Sequence, residues 1–247
     1  MTRRQALWQS AACLALIAAT VLLESRTDID MSIQRLWYDA AHGSWLIDAE
    51  THRAWRWLFY DGMKRAVALI GVCSTVLFCA GFVCGRRAWM RVGLLMALSC
   101  AATPLLVSTL KAVTGMYCPR QLEEFGGHAV YRRLLSMFSG PSGGRCFPGG
   151  HASGGFALTM AFFCCSGRGA RSAALALTLG VGWTMGLYQM LRGEHFLSHT
   201  VVSMLLAWQM NILLVLFVDG VLLPALTRRA AGRRRGSPGK SGRARLA

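Results

Sequence analysis

Six polar side chains stand at the ends of long apolar runs: Lys111, His151, Gln189, Arg192, His195 and His199. Singly each has an ordinary explanation, because a lysine can snorkel from a helix end and a histidine can cap a helix or face water. Their joint placement points to chemistry on an anion. Arginine grips a phosphoryl group as a planar fork and lysine as a point charge. The run Pro148-Gly149-Gly150-His151 stands at the start of an apolar stretch, where exposed N–H groups and the helix dipole favour negative charge. If the chain stayed helical beyond Gln189, then Gln189, Arg192, His195 and His199 would fall at i, i+3, i+6 and i+10 along one face. A turn between the fifth and sixth apolar stretches would interrupt that register. His195 and His199 also have i, i+4 spacing with Glu194 adjacent, but no His-Glu-x-x-His pattern is present and the neighbouring cations would repel a metal. No metal and no other cofactor is expected. Ser153 and Ser198 lack the surroundings of a serine nucleophile.

The elements that must position these groups are membrane helices. Of 247 residues 54% are hydrophobic and only 15% charged, against roughly 25% charged in a soluble domain. Six stretches approach the roughly 17–25 residues that cross a hydrocarbon core: 6–23, 66–85, 92–110, 152–166, 172–191 and 200–223. The fourth is the shortest and is rich in glycine. Unpaired backbone in lipid is too costly for any other spanning structure here. The expected fold class is therefore all-α, a bundle of six transmembrane helices with two larger periplasmic loops. The first stretch follows Arg3 and Arg4 but has no small-x-small cleavage site before Glu24, so it reads as an uncleaved helix.

The net charge of +16 follows topology rather than nucleic acid. With both termini in the cytoplasm, 15 of the 27 basic residues fall in short inner segments, and ten of the eleven acidic residues fall outside, leaving Asp219. That asymmetry satisfies the positive-inside rule for a bacterial inner membrane. The chain reads as one membrane domain, 1–227, followed by a basic tail, 228–247, expected to be disordered and drawn to anionic lipid. The loop 24–65 carries Trp37, Trp45, Trp55 and Trp57 among basic residues, a mixture suited to helices in the headgroup layer. Seven of the nine cysteines lie in apolar stretches, while Cys118 and Cys146 share the second outer loop. A disulfide between those two would staple that loop and flank the site rather than form it; two free thiols are the alternative.

At the polar residues the sequence resembles the type 2 phosphatidic acid phosphatase family of membrane enzymes, structurally related to vanadium haloperoxidases. The family's motifs run Lys-x6-Arg-Pro, Pro-Ser-Gly-His and Ser-Arg-x5-His-x3-Asp. Here they correspond to Lys111 with Cys118-Pro119-Arg120, to Pro148-Gly149-Gly150-His151, and to Gln189, His195 and His199. Cys118 and Gln189 occupy the two arginine slots, with Arg120 and Arg192 within three residues of them; Gly149 stands in the serine slot and His199 in the aspartate slot. The resemblance implies a lipid phosphate or diphosphate phosphatase working at the periplasmic face through a phosphohistidine. His195 would be its nucleophile, His151 its acid and base, and His199 would orient His195. Lys111, Arg192, Arg120 and the N–H groups of Gly149 and Gly150 would hold the phosphoryl oxygens. Substrates in keeping with this are undecaprenyl diphosphate, phosphatidate, phosphatidylglycerophosphate or lipid A. Transfer to a second lipid, or a catalytically inactive lipid-phosphate binder or transporter, are the alternative readings. For transport, Asn211 and Asp219 are the polar residues inside an apolar stretch.

Overall fold

A computed structural model describes residues 1–48, 52–139 and 143–228. Helix α1 (Arg3–Arg26) opens with a capping box, in which Thr2 accepts from the Gln5 N–H and Gln5 accepts from the Thr2 N–H. After it come α2 (Ile29–Arg35) and a two-stranded antiparallel ribbon, β1 (Tyr38–Asp39) with β2 (Ser44–Trp45), pairing Tyr38 with Trp45. Helix α3 (Arg53–Trp55) passes through a π-helical stretch, Arg56–Gly62, into α4 (Met63–Cys84). Gly85 ends α4 in the left-handed conformation, and α5 (Arg87–Thr114) returns. A long loop follows, with short 3-10 turns at Pro119–Gln121 and Glu123–Phe125. Helix α6 (Gly150–Ala157) continues through a 3-10 turn into α7 (Ala161–Cys164), then α8 (Arg168–Met190) and α9 (Leu197–Phe217) complete the bundle.

The chain is predominantly helical, as expected. The expected six crossings are met in part: among the described residues four helices are long and apolar enough to cross a membrane, Arg3–Arg26, Arg53–Cys84, Arg87–Gln121 and Leu197–Arg228. The expected fourth crossing, 152–166, is broken into α6, a 3-10 turn and α7, each short. The expected fifth corresponds to α8, which has the length but carries Gly180, Gly182, Gly186, Thr184, Tyr188 and Gln189 in its second half. Of the expected tail, Arg228 closes the last helix, and 229–247 lie outside the described residues.

Helix α6 lies at the centre, against α4, α5, α8 and α9. Its approach to α8 depends on glycine, since a Cβ on Gly182 would enter the Phe156 ring and one on Gly155 would come 2.8 Å from Gly182 Cα. Away from the site, Met90, Leu95, Met160, Phe163, Ile212 and Val215 form one buried apolar cluster. The polar residues of α9 and its extension have structural partners. The Asn211 amide donates to Thr159 Oγ1 (2.9 Å) and its carbonyl accepts from the Ser99 hydroxyl (2.6 Å). Asp219 accepts two hydrogen bonds from Arg91, at 2.7 and 2.8 Å, the bidentate geometry that planar guanidinium favours.

The tryptophans of the first loop divide. Trp55 and Trp57 are exposed on the helical approach to α4, whereas Trp45 packs with Tyr38 and Phe125, ring centroids 5.0 and 5.1 Å away. Trp45 is therefore part of the packing that supports the turn before α9.

Candidate active site

His195 sits in the connection between α8 and α9. Helix α8 stops at Met190, and Gly193 adopts φ +66°, so the chain turns instead of continuing as a helix. The Glu194 N–H donates back to the Gln189 carbonyl at 2.9 Å. The expected single helical face through Gln189, Arg192, His195 and His199 is thus interrupted, and the turn is what gathers these residues. Gly193 is required twice over: its φ is left-handed, and a Cβ there would lie 2.3 Å from the Trp45 ring.

Helix α2 holds this turn from behind. The start of α9 has no side-chain cap of its own; Asp30 supplies one, accepting from the Ser198 N–H (3.1 Å) and from the Ser198 hydroxyl. One turn along, Gln34 Nε2 donates to the His195 carbonyl at 2.9 Å. Both side chains are buried. Burial pushes the Asp30 carboxyl up to about 6, with the two Ser198 hydrogen bonds opposing and the Glu24 charge adding to the rise. Glu24 is buried as well, accepting from the Tyr131 hydroxyl and the Leu134 N–H.

In front of the turn lies a cavity of about 540 Å³ with two characters. Lys64, Lys111, Arg145, His151, Gln189, Glu194 and His195 line its polar end; Val67, Ala68, Cys100, Pro104 and Met185 line the other, between α4, α5 and α8. A neighbouring cleft shares Tyr60, Gln189 and Glu194 and adds Arg56, Arg120 and Arg192. The structure therefore gathers the expected Lys111, His151, His195, Gln189 and Gly150 around one space, with Arg192 and Arg120 beside it. Lys111 Nζ lies against the start of α6, so that a Cβ on Gly150 would come within 3.4 Å of it.

His195 is 4% exposed. Burial first, then the charges of Lys111, His199 and His151, hold its imidazole well below the ordinary value, so it is neutral across the neutral range and keeps a lone pair for attack. Its Nδ1 lies 3.3 Å from Cys146 Sγ. His151 Nε2 faces the Phe59 carbonyl at 3.3 Å, and its ring stacks on Tyr60 with centroids 4.4 Å apart and planes 7° apart. With Nε2–H given to that carbonyl, Nδ1 is the nitrogen left to exchange a proton.

Three of the expected residues make contacts that their expected roles did not include. The Gly149 N–H donates to the His199 carbonyl at 3.2 Å, so it is not turned toward an anion, and Gly150 alone of the pair lines the cavity. A Cβ on Gly149 would come within 3.3 Å of that carbonyl and 3.4 Å of Ser203 Oγ, so a serine there would fit tightly. His199 is 1% exposed, its ring centroid lies 5.9 Å from that of His195, and its Nδ1 has no hydrogen-bond partner among the described residues; it packs on Phe147 and Phe196. It therefore does not orient His195 through a hydrogen bond. Cys118 and Cys146 are joined, with Cα atoms 5.1 Å apart, and the bridge belongs to the site instead of flanking it. Cys118 lines the cavity and Cys146 touches His195. Ligand-type atoms of Cys118, Cys146 and His195 lie within 4.8 Å of one another, but both sulfurs are spent in the bridge and neither is a thiolate.

The displaced arginines share one carboxylate. Glu194 pairs with Arg120 at 2.8 Å and faces Arg192 at 3.7 Å. The Arg192 side chain is 10% exposed and that of Arg120 54%, so Arg192 acts in the less hydrated setting. Sequence reasoning missed Tyr60, Lys64 and Arg145 at the cavity and Asp30 and Gln34 behind it. Tyr60 and Lys64 have i, i+4 spacing at the mouth of the second apolar stretch, and Arg145 adjoins Cys146; those were the available signals. For Asp30 and Gln34 there was none, because a short amphipathic segment does not say what it covers.

Among known protein families, the PAP2 superfamily matches residues 92–221. No curated protein and no solved structure matches the chain. Tyr60 and Lys64 at the cavity, and Asp30, Gln34 and Trp45 behind the turn, all precede the matched segment.

Proposed function

The chain belongs to the PAP2 superfamily, whose members are generally phosphatases, and from that premise we propose that it removes phosphate from a membrane lipid phosphate or diphosphate at the periplasmic face of a bacterial inner membrane. The observation that carries this reading is the two-toned cavity. Its cationic end suits a phosphoryl group, and its apolar end between α4, α5 and α8 suits the first part of a hydrocarbon chain. An amphiphile with an anionic head matches both. In this reading the chain crosses the membrane six times, with α6–α7 and α8 completing the four strongly apolar helices and both termini in the cytoplasm. Charge asymmetry supports that orientation.

In the proposed reaction His195 attacks phosphorus through Nε2. The bond from phosphorus to the lipid oxygen breaks, and His151, entering the step as the imidazolium with Nε2–H on the Phe59 carbonyl, passes its Nδ1 proton to that leaving oxygen. The product is a lipid alcohol, or a lipid monophosphate from a diphosphate, with the phosphoryl group on His195. His151 then takes a proton from water, whose oxygen attacks phosphorus; the N–P bond breaks, inorganic phosphate departs and His195 is restored. Lys111 and Arg192, with Arg120 and the Gly150 N–H, counter the charge that grows on the phosphoryl oxygens.

The test is phosphate release from a panel of lipid phosphates by wild type and His195→Ala in detergent micelles. The variant should lose about a thousandfold or more in kcat, and acid-labile phosphate on the protein should appear in wild type alone. Full activity in the variant would end the nucleophile assignment.

A further inference from the structure

A nucleophilic imidazole needs one nitrogen free and the other held, so that the lone pair faces the reacting atom. The family resemblance places a carboxylate four residues after the nucleophile for that task, and here the position is His199, whose Nδ1 has no hydrogen-bond partner among the described residues. The adjacent carboxylate, Glu194, is engaged by Arg120 and Arg192. What Nδ1 of His195 meets is Cys146 Sγ, at 3.3 Å in a buried setting.

A sulfur within a disulfide carries no hydrogen, so a hydrogen bond at this contact can run only from Nδ1–H to the sulfur. We propose that the Cys118–Cys146 disulfide is the positioning group of His195, its Cys146 sulfur accepting from Nδ1–H and thereby fixing the tautomer whose Nε2 lone pair faces the cavity. Two hydrogen bonds make this a built arrangement. Gln34 Nε2 donates to the His195 carbonyl, and the Cys146 N–H donates to the Met116 carbonyl at 2.8 Å. The ring, the turn and the bridged loop are thereby held together. A neutral sulfur selects a tautomer but, unlike a carboxylate, does not stabilise an imidazolium. Attack through Nε2 with Nδ1–H retained leaves a phosphorylated ring of imidazolium character, so the sulfur orients the nucleophile without stabilising that intermediate. The bridge also ties Arg145, beside Cys146, to the cavity and Arg120, two residues from Cys118, to the neighbouring cleft.

This inference rests on His195 being the nucleophile, and the experiment separates the two. Cys118→Ala/Cys146→Ala removes staple and acceptor together; Cys118→Ala/Cys146→Ser removes the staple but returns an acceptor oxygen at position 146. Dioleoyl phosphatidate in detergent micelles is the probe, with kcat and KM measured separately. The double alanine should lose about fivefold to tenfold in kcat with little change in KM, and the alanine–serine variant should regain most of it. Equal kcat in the two variants makes the bridge a staple only and overturns the proposal. A readout independent of turnover is the nitrogen NMR of His195, labelled in the full-length wild-type protein. The Nδ1–H tautomer is expected, an Nε2–H tautomer overturns the proposal, and this measurement decides if the variants do not fold. Full activity in His195→Ala would instead remove the nucleophile reading and leave the tautomer result standing.

Discussion

Acidification from pH 7 to pH 4 should strengthen the hold of α2 on α9, and Asp30→Asn should abolish that gain. The Asp30 carboxyl is 2% exposed, and burial raises it from 3.8 to about 6 despite two opposing hydrogen bonds from Ser198. The folded chain thus binds this proton more tightly than the unfolded chain does. Stability gained in this way is complete below the unfolded value and is lost as pH climbs through the folded one, which sets the window at about pH 4–6. A proton held roughly a hundredfold more tightly corresponds to about 3 kcal/mol. For a chain of this size that is about 6–12 °C in the midpoint of thermal unfolding. The assay is the apparent midpoint in detergent at one fixed scan rate, from pH 4 to pH 7, for wild type and Asp30→Asn. Asparagine keeps an oxygen for Ser198 but has no proton to titrate, so the difference between the two curves isolates this carboxyl. Parallel curves across the window would refute the reasoning.

The two displaced arginines should differ in weight. Arg192→Ala should lower kcat/KM about a hundredfold, because its guanidinium is nearly excluded from water, whereas Arg120→Ala, more than half exposed, should cost about threefold or less; steady-state kinetics on one lipid phosphate checks both, and equal losses would contradict the ranking. Gly193→Ala should destabilise the chain by about 2 kcal/mol or more, since a left-handed φ and the Trp45 ring both exclude a Cβ; thermal unfolding beside Trp45→Ala/Gly193→Ala, in which the ring is gone, separates the clash from the backbone cost.

Much of the site was legible because its chemistry depends on residue types rarely found at the edge of apolar runs. Lys111, His151 and His195 surround one cavity, as their placement at the ends of successive apolar stretches suggested. Run length and hydropathy were sufficient for the four strongly apolar helices and less so at α6–α7, where a 3-10 turn breaks the run and the segment packs at the centre of the bundle. The roles of His199 and Gly149 were not legible, since both turn on where one nitrogen points. A motif slot specifies position, but the partner of a ring nitrogen or an N–H is set by chain segments far away in sequence. The disulfide shows the same limit: the pairing could be anticipated from compartment and loop, while its contact with His195 depends on the fold.

The clamp formed by α2 has a consequence for biosynthesis. Asp30 and Gln34 precede their partners by 168 and 161 residues, an interval of roughly 10–30 s at ordinary rates of chain growth. Throughout it Lys111 and His151 can already occupy their helices, yet no residue stands where His195 will be. Insertion of the final helix delivers the histidine, the recipient of the Gln34 hydrogen bond and the end of α9 that Asp30 caps in a single event. In the proposed reading a nascent chain therefore holds Lys111 and His151 for many seconds before it can act on a lipid, and activity begins only once α9 is in place.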